Sequence, residues 1–139
     1  MYNRSLALIA CLFLHGCGTP PKAPAPIERQ ILLQSSASWD GTPYTGYPQS
    51  APELTLLKLK IAPHTTLAWH THPMPNAAYI LSGELTVQSR DSGHARVFRQ
   101  GQTLAEMVNI VHRGVTGDTP VELLVFYAGS PGMPLSHTD

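Results

Sequence analysis

After residue 17 no stretch of this chain repeats its apolar residues every 3.6 positions. Amphipathic helices are therefore not what builds its core, and strands must. From Glu53 onward the chain reads as short runs: Glu53–Ile61, Ala68–His72, Ala77–Leu81, Glu84–Ser89, Ala95–Arg99, Thr103–Glu106, Val111–Val115 and Val121–Tyr127. Between them stand turn formers such as Ala62-Pro63, Pro73-Met74-Pro75, Ser82-Gly83, Asp91-Ser92-Gly93 and Gly117-Asp118. Evenly spaced short strands with this punctuation predict an all-β sandwich or barrel. Periodicity does not choose between the two.

The N-terminus has a different character. Arg4 is followed by an almost wholly apolar run, Ser5 to Leu14, too short to span a bilayer alone. Residues 1–16 read as a signal peptide. Leu14-His15-Gly16-Cys17 resembles a bacterial lipobox, which implies cleavage before Cys17 and lipidation of its thiol. Leu8-Ile9-Ala10-Cys11 fits the pattern locally, but cutting there leaves too short an apolar run. An ordinary secretory signal is the alternative. Residues 17–30 form a Pro/Ala-rich tether, whose prolines favour an extended spacer. Residues 31–130 are expected as the barrel and 131–139 as a C-terminal tail. The expected location is the bacterial cell envelope, lipid-anchored on the periplasmic side of the outer membrane, with a soluble periplasmic or secreted form as the alternative.

Both cysteines lie at residues 11 and 17, so the folded part carries no disulfide framework. A domain of about 110 residues can bury enough apolar surface without one. Losing residues 1–16 removes Arg4 from nine basic side chains and none of the nine acidic ones. That near-neutral balance, with no basic cluster, argues against nucleic acid as a partner. Trp39, Tyr44 and Tyr47 lie in a Gly- and Pro-rich stretch that is expected to pack on the domain.

Of seven histidines, three carry the functional reading. His70 and His72 are two apart, so on one strand both project from the same face. Two converging imidazoles suit a metal ion; a pair of surface histidines is the alternative. A third ligand must come from elsewhere.

The run from His70 to Leu85 resembles motif 1 of the cupins, Gly-x5-His-x-His-x3,4-Glu-x6-Gly. His70, His72 and Gly83 match at the right spacing. The run from Gly101 to Thr116 resembles motif 2, Gly-x5-Pro-x-Gly-x2-His-x3-Asn, with Gly101 and His112 matching. The resemblance covers about residues 53–127. It implies a single-domain cupin, a double-stranded β-helix or jelly-roll barrel, with one divalent metal ion held by His70, His72 and His112. It leaves Fe, Ni, Zn, Mn and Cu undistinguished. The departures matter as much. His64 stands at the first glycine of motif 1 and Asn76 at its metal-binding Glu. Met107, Asn109 and Thr116 replace the Pro, Gly and Asn of motif 2. Asn109 tolerates the left-handed conformation a turn needs.

Without the Glu, Asn76 or Glu106 is the candidate fourth ligand. If Met107–Asn109 is a three-residue hairpin loop, Leu104 pairs with His112 and Glu106 with Ile110, and all four share a face. A carboxylate there is costly unless paired or on a metal. Glu106 is then a ligand, an acid–base group, or outward-facing in a slipped register. Tyr79 and His64 are weaker candidates for substrate contact, with a plain core role and a turn role as alternatives.

Three protein ligands with open positions are the arrangement of catalytic metals. The implied function is a metal-dependent enzyme, dioxygenase-, isomerase- or lyase-like, acting on a small organic molecule. The alternative is a non-catalytic cupin that binds a ligand or metal. Dimerisation through a sheet face is common in the family, and the aromatic run at Trp39, Tyr44 and Tyr47 would serve it.

Overall fold

The computed structural model describes residues 26–139. The expected signal peptide, both cysteines and the expected tether up to residue 25 lie outside the described residues. The chain divides into two units between Gln30 and Ile31. Of the first, residues 26–30 are described and all are exposed. Everything below concerns the second. Among the described residues no helix is long and apolar enough to cross a membrane.

The secondary structure consists of β1 (Glu53–Ile61), β2 (His70–Thr71), β3 (Asn76–Ser82), β4 (Glu84–Ser89), β5 (Ala95–Arg99), β6 (Thr103–Ala105), β7 (His112–Thr116), β8 (Val121–Gly129) and β9 (His137–Thr138). They form two antiparallel sheets, ordered β1-β8-β3-β6 and β5-β4-β7-β2-β9. This is the all-β jelly-roll architecture that the strand spacing and motifs predict. The inner faces are read directly from alternation. Asn76, Ala78 and Ile80 of β3, and Val121, Leu123, Val125 and Tyr127 of β8, are buried, while the residues between them are less so. Such period-2 burial is what a sheet with one face on a core produces.

Gly83 makes the β3–β4 turn with φ of 76°. A Cβ there would sit 2.2 Å from the carbonyl oxygen of Pro120, so neither the backbone angle nor the space admits a side chain. His64 and Asn109 also take positive φ, 53° and 55°. Each stands where the motif carries glycine.

Two expectations are corrected. The β6–β7 hairpin does not form. β6 pairs with β3 in one sheet, with Leu104 opposite Ala78, and β7 pairs with β4 in the other. Residues 106–111 cross between the sheets instead. The crossing is pinned by hydrogen bonds from the Asn109 amide to the His72 carbonyl (2.9 Å) and from the Glu106 amide to the Asn76 carbonyl (3.1 Å). The end of the chain is not a loose tail either. β9 adds to the edge of β2, placing Thr138 opposite His70, and Met133 and Leu135 pack against the core.

The aromatic run is also divided. Trp39 meets Phe98 edge-on, with ring centroids 6.2 Å apart. The Tyr44 hydroxyl donates to the Glu106 carbonyl at 2.7 Å. Only Tyr47 remains largely exposed, so the three do not form one contact face.

Candidate metal centre

His70 and His112 are direct cross-strand partners on β2 and β7. Directly opposed residues share a face, with Cβ atoms roughly 4.5–5.5 Å apart. His72 lies two residues beyond His70 and returns to that face. The three rings close a triangle with centroid separations of 5.0 Å (His70–His72), 4.7 Å (His70–His112) and 5.0 Å (His72–His112). Their nearest ring nitrogens all lie within 4.8 Å of one another. His72 and His112 are buried, and His70 is half-buried.

Every Nδ1 is engaged by a main-chain carbonyl. His70 Nδ1 bonds to Ala68 at 2.8 Å, His72 Nδ1 to Leu135 at 2.7 Å and His112 Nδ1 to Ile110 at 2.7 Å. A carbonyl oxygen only accepts, so each Nδ1 carries the hydrogen and donates it. In a neutral imidazole this leaves Nε2 as a bare lone pair, the atom a metal takes.

Glu106 is buried beside this triangle. Its Oε2 is 3.4 Å from His112 Nε2. The two atoms face each other without hydrogen-bond geometry, and among the described residues neither has another partner. Burial raises the Glu106 carboxyl, but the three surrounding imidazoles, His112 foremost, outweigh it and hold the acid below its usual range. Burial likewise opposes charging of His112, and Glu106 outweighs that, raising His112. At His72 burial outweighs the attraction of Glu106 and holds the imidazole below its usual range. Glu106 and His112 thus each favour the charged form of the other, and a metal ion on His112 Nε2 would compete with proton binding there.

The residues fit such an ion. A tetrahedral ion with bonds of about 2.0–2.1 Å sets its ligand nitrogens about 3.3 Å apart. From the observed spacing each imidazole needs an inward shift of less than about 1 Å. Two buried, unpartnered atoms on Glu106 and His112 are what a bound cation satisfies.

The other sequence candidates are placed as follows. Asn76 is buried on the inner face of β3, directly opposite Tyr127. Its Nδ2 donates to the Met74 carbonyl at 3.3 Å, and its Oδ1 has no partner. The outward reading of Glu106 is corrected by its burial. The expected proximity to His112 holds, but through the crossing segment and not through a hairpin. Tyr79 alternates with the buried Ala78 and Ile80, so it faces away from the histidines and not toward a pocket. His64 is exposed in the turn after β1, with Nε2 3.6 Å from Asp118. Thr65, its neighbour, bonds Thr116, at the opposite end of β7 from His112. Four residues of strand, about 13 Å, separate the two ends, so His64 takes no part in the site.

Two contributors lie beyond what the sequence reading identified. Tyr127 stands with its ring 5.6 Å from His72; burial, then the charge of Glu106, push its hydroxyl up to about 12, so it stays a donor. Its parity with Val125 and Leu123 on β8 was the available signal. The Leu135 carbonyl had none, because a main-chain acceptor carries no residue identity.

A small chamber of about 60 Å³ is lined by the three histidines, Glu106, Tyr127 and aliphatic side chains. An open cleft of about 620 Å³ shares His70, His72, Tyr127, Leu59, Ile61 and Leu67 with it, so the chamber lies directly behind the cleft.

Residues 57–127 match the family model described as the cupin domain. No curated protein is close enough in sequence to count as a relative. Solved structures share the fold. A cupin-like protein from Thermotoga maritima aligns with a TM-score of 0.55 at 17% identity, over 62% of this chain and 64% of that one. The polyketide cyclase RemF from Streptomyces resistomycificus gives 0.54 at 20%, over 61% and 59%. The DMSP lyase DddQ from Ruegeria pomeroyi DSS-3 gives 0.53 at 21%, over 68% and 45%. The chain spans less than two thirds of the length of each of these structures. At such identities the likeness is one of fold.

Proposed function

This chain belongs to the cupin-domain family, and from that premise we propose that it holds one divalent metal ion through Nε2 of His70, His72 and His112 and acts as a metal-dependent enzyme on a small organic molecule. One observation carries the reading: all three Nδ1 atoms are occupied by carbonyls, which leaves three lone pairs turned toward one point. Imidazole nitrogens suit Zn, Fe, Ni or Cu. A metal bound there supplies Lewis acidity toward a substrate oxygen. Glu106 holds a proton or takes one at Oε2, next to the chamber where substrate sits. Tyr127, kept protonated, offers a hydrogen bond from the opposite sheet. Proton movement beside a polarised oxygen is the chemistry of isomerases and lyases, and it favours those classes over dioxygen chemistry. Lyases and cyclases both occur among the structural neighbours, and the fold does not select between them.

A second reading has its own support. Glu106 Oε2 lies close enough to His112 Nε2 to become a fourth ligand, with Asn76 Oδ1 as the alternative. A tetrahedral ion with four protein ligands keeps no open position, and that describes a binding protein. The experiment is metal content and turnover of the purified protein and its Glu106→Gln variant. A catalytic Glu106 predicts about one equivalent of metal in both and turnover lost only in the variant. Equal turnover in both overturns the acid–base role, and loss of metal from the variant favours the closed site.

The proposed setting is the cell envelope. Ser5–Leu14 and Leu14-His15-Gly16-Cys17 support export and lipidation at Cys17, with residues 17–30 as tether, 31–130 as barrel and outer-membrane attachment. An unlipidated periplasmic or secreted form is the alternative.

A further inference from the structure

The cleft in front of the histidines has a lopsided lining. Leu57, Leu59, Leu67, Ala68 and Leu135 form much of its wall. Its single cationic side chain is Lys60, whose ammonium is directed to Glu122 at 3.3 Å and is largely exposed. Behind the cleft, Leu85, Val87, Leu123 and Val125 continue the apolar surface into the chamber. The chamber's one acid is Glu106. Among the described residues, nothing in either space offers a fixed positive charge to a carboxylate or phosphate. An anionic group placed along these walls loses its hydration without a partner, and meets Glu106 at the inner end. The hydroxyls of Ser136, Thr138 and Thr65 belong to the cleft alone, and that of Tyr127 is shared with the chamber.

We propose that this cleft takes an uncharged organic molecule with an apolar body, of at least monocyclic size, whose one oxygen-bearing head enters the chamber between Glu106 and the histidines. The cleft volume lies within the range of small-molecule sites. The chamber has room for a head group of a few atoms and no more. This assignment rests on the metal reading for the role of the head, and on the cleft alone for the body. It disfavours substrates that carry a second charge along the body, where the lining offers only Lys60, itself directed to Glu122.

The test separates the two parts. Amide chemical shifts of the metal-free, isotope-labelled protein are followed at pH 8 during titration with benzamide, benzoate and acetamide. Benzamide is expected to move the amides of Leu59, Leu67 and Leu135 and to bind roughly 10-fold or more tighter than either comparator. Leu59 lies on an edge strand and is 37% exposed, so Leu59→Glu leaves the fold intact and is expected to remove the benzamide response. No shift at those amides, or benzoate binding as tightly as benzamide, overturns the inference whatever metal does. Zinc-loaded protein is then titrated calorimetrically with acetohydroxamate and benzohydroxamate. A preference for the ring compound that Leu59→Glu abolishes is expected. Equal affinities overturn the placement of the body. If the protein takes up no zinc while benzamide binds, the metal reading fails and the cleft assignment stands.

Discussion

A histidine presents one chosen nitrogen only when something holds the other. Here three carbonyls, from Ala68, Leu135 and Ile110, do so. Among the described residues Glu106 adds the only carboxylate lining the chamber, and its pairing with His112 makes metal-free stability pH-dependent. A carboxyl held below its ordinary value of 4.5 contributes above that pH and loses its contribution as pH falls through the folded value. An imidazole raised above 6.5 contributes below that pH and loses its contribution as pH rises through the folded value. The pair is therefore most stabilising between about 4.5 and 6.5. Breaking a buried ion pair costs roughly 3–5 kcal/mol. In chelator-treated protein, Glu106→Gln should lower Tm more at pH 6 than at pH 9; an equal gap at both values contradicts the pairing. At this scale the sequence was informative about His70, His72 and His112, because side-chain spacing is what a motif records. It pointed to Glu106 through a carboxylate placed where an apolar residue was expected. Tyr79 misled because it lies three residues from the buried Asn76 and so on the other face, and local sequence did not mark which face of β3 turns inward.

At the scale of elements, strands were legible where they are long and alternating. β1, β4 and β5 run over the residues expected. The short pieces were not, because two or three residues carry no period. β2 shrinks to His70–Thr71, and β9 follows a segment whose Pro131 and Pro134 read as an ending. Which strand pairs with which was likewise hidden, since local sequence cannot distinguish a hairpin at 107–109 from a crossing between sheets. β9 and its approach matter most, as they bring the Leu135 carbonyl to His72. Loss of a partner that orients a metal-bound histidine typically costs 10–100-fold in affinity. A chain ending at Met133 should keep its β-sheet circular dichroism and bind zinc 10–100-fold more weakly. Unchanged affinity would show that Leu135 does not orient His72.

At the scale of the molecule, the two motifs reported fold and family because they mark a turn and a set of converging side chains that this barrel places together. Charge balance and cysteine positions bound the setting. If Cys17 is the lipid attachment point, cells expressing the chain should incorporate labelled palmitate into it and lose the label in Cys17→Ser; retention of label in that variant contradicts the assignment. The central claim, a three-imidazole site, is tested most directly by zinc-edge X-ray absorption of the metal-loaded protein. Three imidazole nitrogens at about 2.0–2.1 Å with one or more oxygen ligands are expected, falling to two imidazoles in His112→Ala. Two or fewer imidazoles in the unsubstituted protein, or no bound zinc, would contradict it.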